Sequence, residues 1–282
     1  MTRIAVLITC HNRRIKTLRC LRALFANSLP EGTLLHTILV DDGSTDGTAN
    51  AVKERFPDVG ILVGEGCLYW NGGMRVAFSA AMKADYDFYL WLNDDTLLYP
   101  DALARLLITA DRLYQTQGKE AIVVGSTQAD PDGPVTYGGV RRTSSLRPLK
   151  FSLVDPRSEA IECHTMNGNC VLIPSSIAKA VGNLEPSFTH TMGDLDYGLR
   201  AGKAGFSIWV VPGYAGTCTH NSLTGSWLDG QLPVFQRLRK LMQPKGLPPR
   251  EWFVFSMRHA GWLGPAYWLW PYAKVLLSRF VR

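Results

Sequence analysis

Residues 4–9 form a continuous apolar run in which Ile4, Val6 and Ile8 alternate with Ala5 and Leu7. A parallel strand covered on both faces requires this pattern. From residue 15 the period changes. Ile15, Leu18, Leu21, Ala23, Leu24 and Phe25 recur at helical spacing with Arg and Lys between them, and Pro30 closes the segment, so a helix is predicted over 15–27. The alternation repeats, with strands predicted at 37–40, 60–63, 88–92 and 121–125, and helices at 48–56, 73–84 and 100–115. Strands alternating with helices of this length predict an α/β fold, a mostly parallel Rossmann-like sheet with helices on both faces. Ligands of such sheets bind beyond the carboxyl ends of the strands.

After residue 126 the pattern loosens into a stretch rich in Gly, Pro and Ser over 128–156. An apolar run at 170–173, a helix at 194–204 and a strand at 207–211 before Pro212 complete the expected core. The chain is accordingly divided into a body, 1–235, with halves 1–126 and 127–235, and a tail, 236–282.

Composition changes this picture in two places. With 282 residues and 46% hydrophobic content a full core can be buried, so disorder is excluded. The six cysteines form no C-x-x-C pair, which removes zinc-ribbon and redox motifs and favours a reduced, cytoplasmic setting. The apolar run after Met1 is too short for a secretory signal. The net charge of +6 is unevenly spread: residues 236–282 carry nine basic residues against Glu251, a net of +8, which leaves −2 for the rest. The basicity therefore concerns a partner of the tail.

Polar clusters fall just after successive predicted strands: Cys10-His11-Asn12-Arg13, then Asp41-Asp42-Gly43-Ser44, then Gly64-Glu65-Gly66, then Asn93-Asp94-Asp95. The run 41–48 reads either as a turn and helix N-cap, with Asp46 or Thr48 in that role, or as a strand tip at which a carboxylate of Asp41-Asp42 hydrogen-bonds a pyrimidine N–H or ribose hydroxyls, and two adjacent carboxylates there need compensating donors. Asn93-Asp94-Asp95 offers hard oxygens suited to Mg²⁺ or Mn²⁺. His220 in Thr219-His220-Asn221-Ser222 is a possible imidazole ligand, which would favour Mn²⁺. Gly193-Asp194-Leu195-Asp196 opens a helix, where Asp194 can cap and Asp196 can pair with Arg200. Trp70, Asn71, Gly72, Gly73 and Arg75 lie between a strand and a helix, a place apt for a diphosphate. Asn167-Gly168-Asn169 reads as a β-turn or a ligand-facing loop.

Thr9 to Arg13, the run 41–48, Asn93 to Thr96, and the block Asp194-Leu195-Asp196 with Arg200, Gly205 and then His220 together resemble the inverting glycosyltransferase family 2, of the GT-A fold, particularly its bacterial rhamnosyl- and galactofuranosyltransferase members. The resemblance spans roughly residues 3–222. It implies a nucleotide-sugar-binding half at 1–126 and an acceptor half at 127–235. It further implies donor contacts from Thr9, His11, Asn12, Arg13, Asp41, Asp42, Trp70, Asn71, Gly72, Gly73, Arg75, Asn93 and Asp94. Asp95 and His220 would hold Mn²⁺ or Mg²⁺. Asp194 would be the general base, with Asp196 supporting it.

The reaction so implied moves a hexose from a UDP- or dTDP-sugar to a hydroxyl of a glycan or lipid-linked glycan in bacterial surface polysaccharide (lipopolysaccharide O-antigen) synthesis. The competing readings are a sugar-phosphate nucleotidyltransferase, whose basic Gly-rich loop is absent after the first strand, and an inactive membrane-tethered scaffold. In the tail, Trp252, Phe253, Phe255, Trp262, Tyr267, Trp268, Trp270, Tyr272 and Phe280 are interleaved with basic residues, while Pro265, Pro271, Lys274 and Arg279 interrupt any membrane span. An aromatic, basic helical segment lying on an anionic membrane surface is expected, at the inner face of the cell membrane. Packing of these rings on the body is the alternative. No nucleic-acid partner is expected, because no stacking motif accompanies the charge.

Overall fold

The computed structural model describes residues 1–220 and 222–278; Asn221, Arg279 and Phe280, named above, lie outside the described residues. The first half runs β1 (Thr2–Cys10), α1 (Arg14–Phe25), β2 (Thr33–Asp41), α2 (Thr48–Arg55), β3 (Gly60–Val63), α3 (Tyr69–Ala81) and β4 (Phe88–Leu92). Then follow β5 (Leu97–Leu98), α4 (Ala102–Gln117), β6 (Ile122–Gln128), β7 (Val135–Tyr137), β8 (Gly139–Arg142), β9 (Phe151–Leu153), β10 (Ile161–Cys163), β11 (Thr165–Met166) and β12 (Cys170–Pro174). The chain continues through α5 (Ser175–Val181), α6 (Gly193–Lys203), β13 (Ile208–Thr217), α7 (Val234–Leu241), α8 (Pro249–His259) and α9 (Gly264–Leu277).

The main sheet has the order β10-β13-β6-β12-β4-β1-β2-β3. Its β4-β1-β2-β3 part is wholly parallel, whereas β12 runs antiparallel to both β4 and β6. Alternation along β1 builds two cores. Ile4, Val6 and Ile8 pack with α1, α2 and α4, while Ala5 and Leu7 pack with α3, α5 and α6 on the other face. Chain order reverses at β1, since β2 and β3 extend to one side and β4 to the other. The crevice beyond the ends of β1 and β4 is where such sheets take ligands.

Three expectations differ from the structure. Helix α3 begins at Tyr69 and not at 73, because the side chain of Asp42, from the end of β2, accepts the amides of Leu68 and Tyr69 and starts the helix early. The loose 128–156 stretch contains β7, β8 and β9; β8, β9 and β11 form a second, three-stranded sheet. Strand β13 passes through Pro212, where register shifts between Val210 and Tyr214 accommodate the missing N–H.

The tail is helical and part of it is core. Trp252 and Phe255 of α8 are buried with Phe188, Met192 and Leu199 of the body. Helix α9 is fastened to α8 by the Trp252 indole donating to the Tyr267 carbonyl at 2.9 Å and the Trp268 indole donating to Pro249 at 2.9 Å. Its outer side leaves Leu269, Trp270, Leu276 and Leu277 exposed, as is Trp262 in the turn that precedes it.

Candidate active site

The turn after β1 is tight. Asn12 adopts a left-handed φ of 52°, a conformation that Asn tolerates better than most side chains. Its amide N–H donates to the Ser44 hydroxyl at 2.8 Å and its side-chain oxygen accepts the Thr45 amide at 2.7 Å, which joins the β1 and β2 loops. His11 adds a contact of 2.5 Å from Nδ1 to the Asp42 carbonyl. Arg13, thus placed, spans the crevice to the loop after β4. One guanidinium nitrogen meets Asp94 at 2.8 Å and another meets Asp95 at 2.5 Å, with the Lys16 ammonium 3.7 Å from the same Asp95 oxygen.

Asp94 is buried, and burial pushes its carboxyl up to about 7; Arg13 opposes that rise and Asp95 adds to it. Asp95 keeps 15% of its side chain exposed. Its other oxygen lies 3.5 Å from the thiol of Cys218, which also receives the Asn169 side-chain amide at 3.5 Å. Asn93 turns its side-chain oxygen to the Trp70 indole N–H at 2.6 Å.

Trp70 connects this corner to the start of α6. Gly168 lies so close to the Trp70 ring that a Cβ there would overlap it, and the same position is 3.5 Å from the Asp194 Cβ. The Gly168 amide donates to one Asp194 oxygen at 3.0 Å and the Leu195 amide to the other at 2.8 Å. Burial raises the Asp194 pKa, and these donors together with the Asn167 side chain moderate the rise. A carboxylate whose pKa is raised accepts a proton more readily than an exposed one.

Other residues singled out from the sequence are committed elsewhere. Asp42 is 2% exposed, with its oxygens accepting the amides of Gly66, Leu68 and Tyr69 at 2.8, 2.8 and 3.1 Å. Asp41 accepts the Ser44 amide at 3.1 Å. Asn71 is buried; its amide donates to the carbonyls of Glu185 and Phe188 at 3.0 and 2.6 Å. Thr9 points to the α3 side of the sheet and fills the space over Gly73, where a Cβ would collide with its side chain; Gly72 packs on Leu68. Arg75 is one helical turn below Asn71, on the side of the 183–189 segment, and its carbonyl accepts from Asn183 at 3.0 Å.

Asp196 is 0% exposed and holds Arg200, Arg258 and His259 at 2.7, 2.8 and 2.8 Å. Burial would raise its pKa, but these donors hold it below the ordinary carboxylate range. The site therefore brings together Arg13, Trp70, Asn93, Asp94, Asp95 and Asp194, with the turn at His11 and Asn12 beneath. The side chains of Thr9, Asp42, Asn71 and Asp196 serve the frame around it.

Cys218 and Lys16 touch this cluster without a sequence signal of their own, whereas Gly168 lies in the 167–169 loop read from the sequence. His190 was equally silent: its Nδ1 lies 3.4 Å from the Trp70 amide, and burial pushes its imidazole down to about 4, with Lys245 and Arg13 adding to the shift. Gly193 is legible only in three dimensions, because a Cβ there would overlap the Asn71 amide oxygen.

Whether a divalent cation fits can be read from the donor set. Among the described residues no group of three His, Cys, Asp or Glu side chains could hold a metal. His220 stacks on Tyr137, ring centroids 5.3 Å apart. Asp95 offers a partly exposed carboxylate in this cluster, and Mg²⁺-type ions are commonly held by one or two carboxylates plus substrate phosphates. The residues thus fit a cation shared with a diphosphate and not a preformed cage.

An α/β sheet with a switch-point crevice, acidic groups after β4 and a separate partly buried carboxylate on α6 accord with a sugar-transferring enzyme of the GT-A fold, the class that comparison with known proteins shows. Residues 2–242 match the model of the family described as glycosyltransferase like family 2, and the chain belongs to that family. It is 28% identical over 215 residues to N-acetylglucosaminyl-diphospho-decaprenol L-rhamnosyltransferase of Mycobacterium tuberculosis, covering 68% of each chain. It is also 28% identical over 240 residues to galactofuranosyltransferase GlfT2 of Mycolicibacterium smegmatis, covering 75% of this chain but 36% of that protein.

Among solved structures, S. aureus TarS 1–349 in complex with UDP superposes with a TM-score of 0.55 at 13% identity, over 91% of this chain and 70% of the other. The mannosyltransferase PcManGT from Pyrobaculum calidifontis, in complex with GDP-Man and Mn²⁺, gives 0.54 at 14% identity, over 99% and 74%. These two likenesses show the fold.

Proposed function

We propose that this glycosyltransferase is an inverting, metal-dependent hexosyltransferase that moves a hexose from a UDP- or dTDP-sugar to a hydroxyl of a glycan or lipid-linked glycan in bacterial surface polysaccharide synthesis. The observation that carries the reading is the separation of tasks around Trp70, with the Arg13–Asp94–Asp95 corner on one side and Asp194 on the other. Asp194 takes the proton of the acceptor hydroxyl as that oxygen attacks the anomeric carbon, and the diphosphate leaves from the opposite face. One displacement inverts the anomer, and no protein nucleophile is needed.

In this reading Asp41, with the His11–Asn12 turn, lies towards the nucleoside, and Arg13 and Lys16 approach the diphosphate. Asp95, with donor phosphate oxygens and His220 as a second protein ligand, would hold Mn²⁺ or Mg²⁺, which neutralises charge on the leaving nucleoside diphosphate. The names of the two mycobacterial relatives support a bacterial cell-surface setting, and that of the first supports a lipid-linked acceptor.

The test is a thermal-shift panel of nucleotide sugars with and without Mn²⁺ or Mg²⁺. A donor at 100 times its Kd should stabilise the wild type by about 2.7 kcal/mol. Asp95→Ala should abolish the metal-dependent part of that shift. Pyrophosphate release from a nucleoside triphosphate, with no shift from any nucleotide sugar, would favour the nucleotidyltransferase instead.

Attachment to an anionic membrane through the tail belongs to the same proposal. No helix among the described residues is long and apolar enough to cross a membrane. The support is the turn before α9 together with the outer side of α9, where Trp262 is 88% and Trp270 59% exposed, with no acidic residue after Glu251. Because Trp252 and Phe255 are core, deletion from residue 252 would confound binding with folding. Replacing Trp262 and Trp270 by Glu should weaken sedimentation with phosphatidylglycerol vesicles and leave Tm unchanged; unaltered sedimentation would reject the surface.

A further inference from the structure

The family match ends at residue 242, yet α8, at Pro249–His259, reaches the elements on both sides of the site. Near its start, the buried Glu251 carboxylate accepts the Thr189 amide at 2.9 Å and the Thr189 hydroxyl at 2.7 Å. The Thr189 carbonyl in turn accepts the amides of Asn71 and Gly72, at 3.2 and 3.4 Å, in the first turn of α3 beside Trp70. At the other end of α8, Arg258 and His259 both meet the same Asp196 oxygen at 2.8 Å, and Arg258 also holds Glu185 at 2.6 Å. Asp196 lies two residues beyond Asp194 in the first turn of α6.

We propose that α8 is a clamp that positions the two halves of the active site: Glu251 sets the start of α3 through Thr189, and Arg258 with His259 sets the base-bearing start of α6 through Asp196. The proposal rests on the assignment of Asp194 as base made above. Glu251, Arg258 and His259 are positioning residues.

Two physical reasons make the clamp necessary. A fully buried carboxylate must be compensated by donors, and α6 itself supplies Asp196 only with Arg200. Without α8, two of the three side chains on Asp196 disappear, and the first turn of α6 must open to hydrate it, carrying Asp194 along. The second reason is the entry to α6. Met192, just before the helix, has a φ of 72°, a left-handed conformation that costs a non-glycine residue free energy and persists only where the surroundings over-determine it. Those surroundings are Trp252 and Phe255 of α8, which share a buried cluster with Met192.

The proposal is tested in the full chain with Arg258→Met and Glu251→Gln, reading transfer kinetics and, separately, the thermal shift produced by the nucleotide sugar. Arg258→Met should lower kcat by about 10- to 100-fold, the range for groups that orient an active-site residue from behind, with donor affinity unchanged. Glu251→Gln should act mainly on the donor side and raise the donor KM. Arg258→Lys should recover part of the lost kcat; should the Met variant not fold, the Lys variant must still show a kcat loss with donor affinity kept.

A loss of kcat and donor affinity in equal proportion in both variants, tracking Tm, would overturn the clamp, as would wild-type kinetics in both. Asp194→Asn run in parallel separates the two claims. If it transfers like the wild type, the base assignment has failed; if it is inactive while the Arg258 variants transfer normally, the clamp has failed.

Discussion

Asp194→Asn is expected to lower turnover by about 10²- to 10⁴-fold, the usual contribution of a general base, while nucleotide-sugar binding persists. The amide cannot take the acceptor proton. The pH profile gives a second signature. Catalysis needs the ionised carboxylate, and burial raises the Asp194 pKa, so the acid limb of kcat should lie above the pKa of about 3.9 of an exposed Asp. Activity should be present at neutral pH and lost as pH falls through that raised value. Because the two Asp194 oxygens accept separate amides, from Gly168 and Leu195, Asn can satisfy only one, and a stability loss of about 1–3 kcal/mol should accompany the substitution. Initial rates across pH 4–8, with urea unfolding of both proteins, check the pair of effects; a wild-type rate for the variant would remove Asp194 from the mechanism.

Asp42→Ala is expected to destabilise the protein by about 3 kcal/mol or more, because the amides of Gly66, Leu68 and Tyr69 would each lose their acceptor and an unpaired buried donor costs about 1–3 kcal/mol. Two of those amides lie at the start of α3, where a carboxylate also complements the helix dipole. Donor affinity should fall with it, since the α3 start carries Trp70. Asp42→Asn keeps one acceptor oxygen and should fall between the two. A residue that merely touched the nucleoside would behave otherwise, losing donor affinity at unchanged Tm. Urea unfolding in parallel with donor thermal shifts distinguishes the two results.

The alternation of apolar runs located β1, β2, β3 and β4 and most helices between them, because the period of a strand or helix is written in neighbouring residues. It also placed polar clusters at strand ends, Arg13, Asp94 and Asp95 among them, whereas Asp194 was read from the helix that it opens. The first turn of α3 escaped, since its capping carboxylate comes from Asp42, 26 residues before Leu68. The tail misled in part: its aromatic and basic character is visible, but the burial of Trp252 and Phe255 under α6 and the exposure of Trp262 and Trp270 cannot be told apart from composition.

The sequence by itself therefore determined the α/β alternation and the family, and it nominated the polar clusters from which the candidate site is drawn. Only the tertiary structure decided which carboxylates stand open to that chemistry and which are used up in building the site. Asp42 follows β2 and caps α3 from a distance, Asp194 lies in the first turn of α6, and Asp196 shows with Arg200 an i,i+4 pattern that any surface helix could show. What separates them is the set of donors within about 3 Å. The donors on Asp196 come in part from Arg258 and His259, 62 and 63 residues away. A buried charge takes its compensation from whatever the fold brings near, and that distance is invisible to any local pattern.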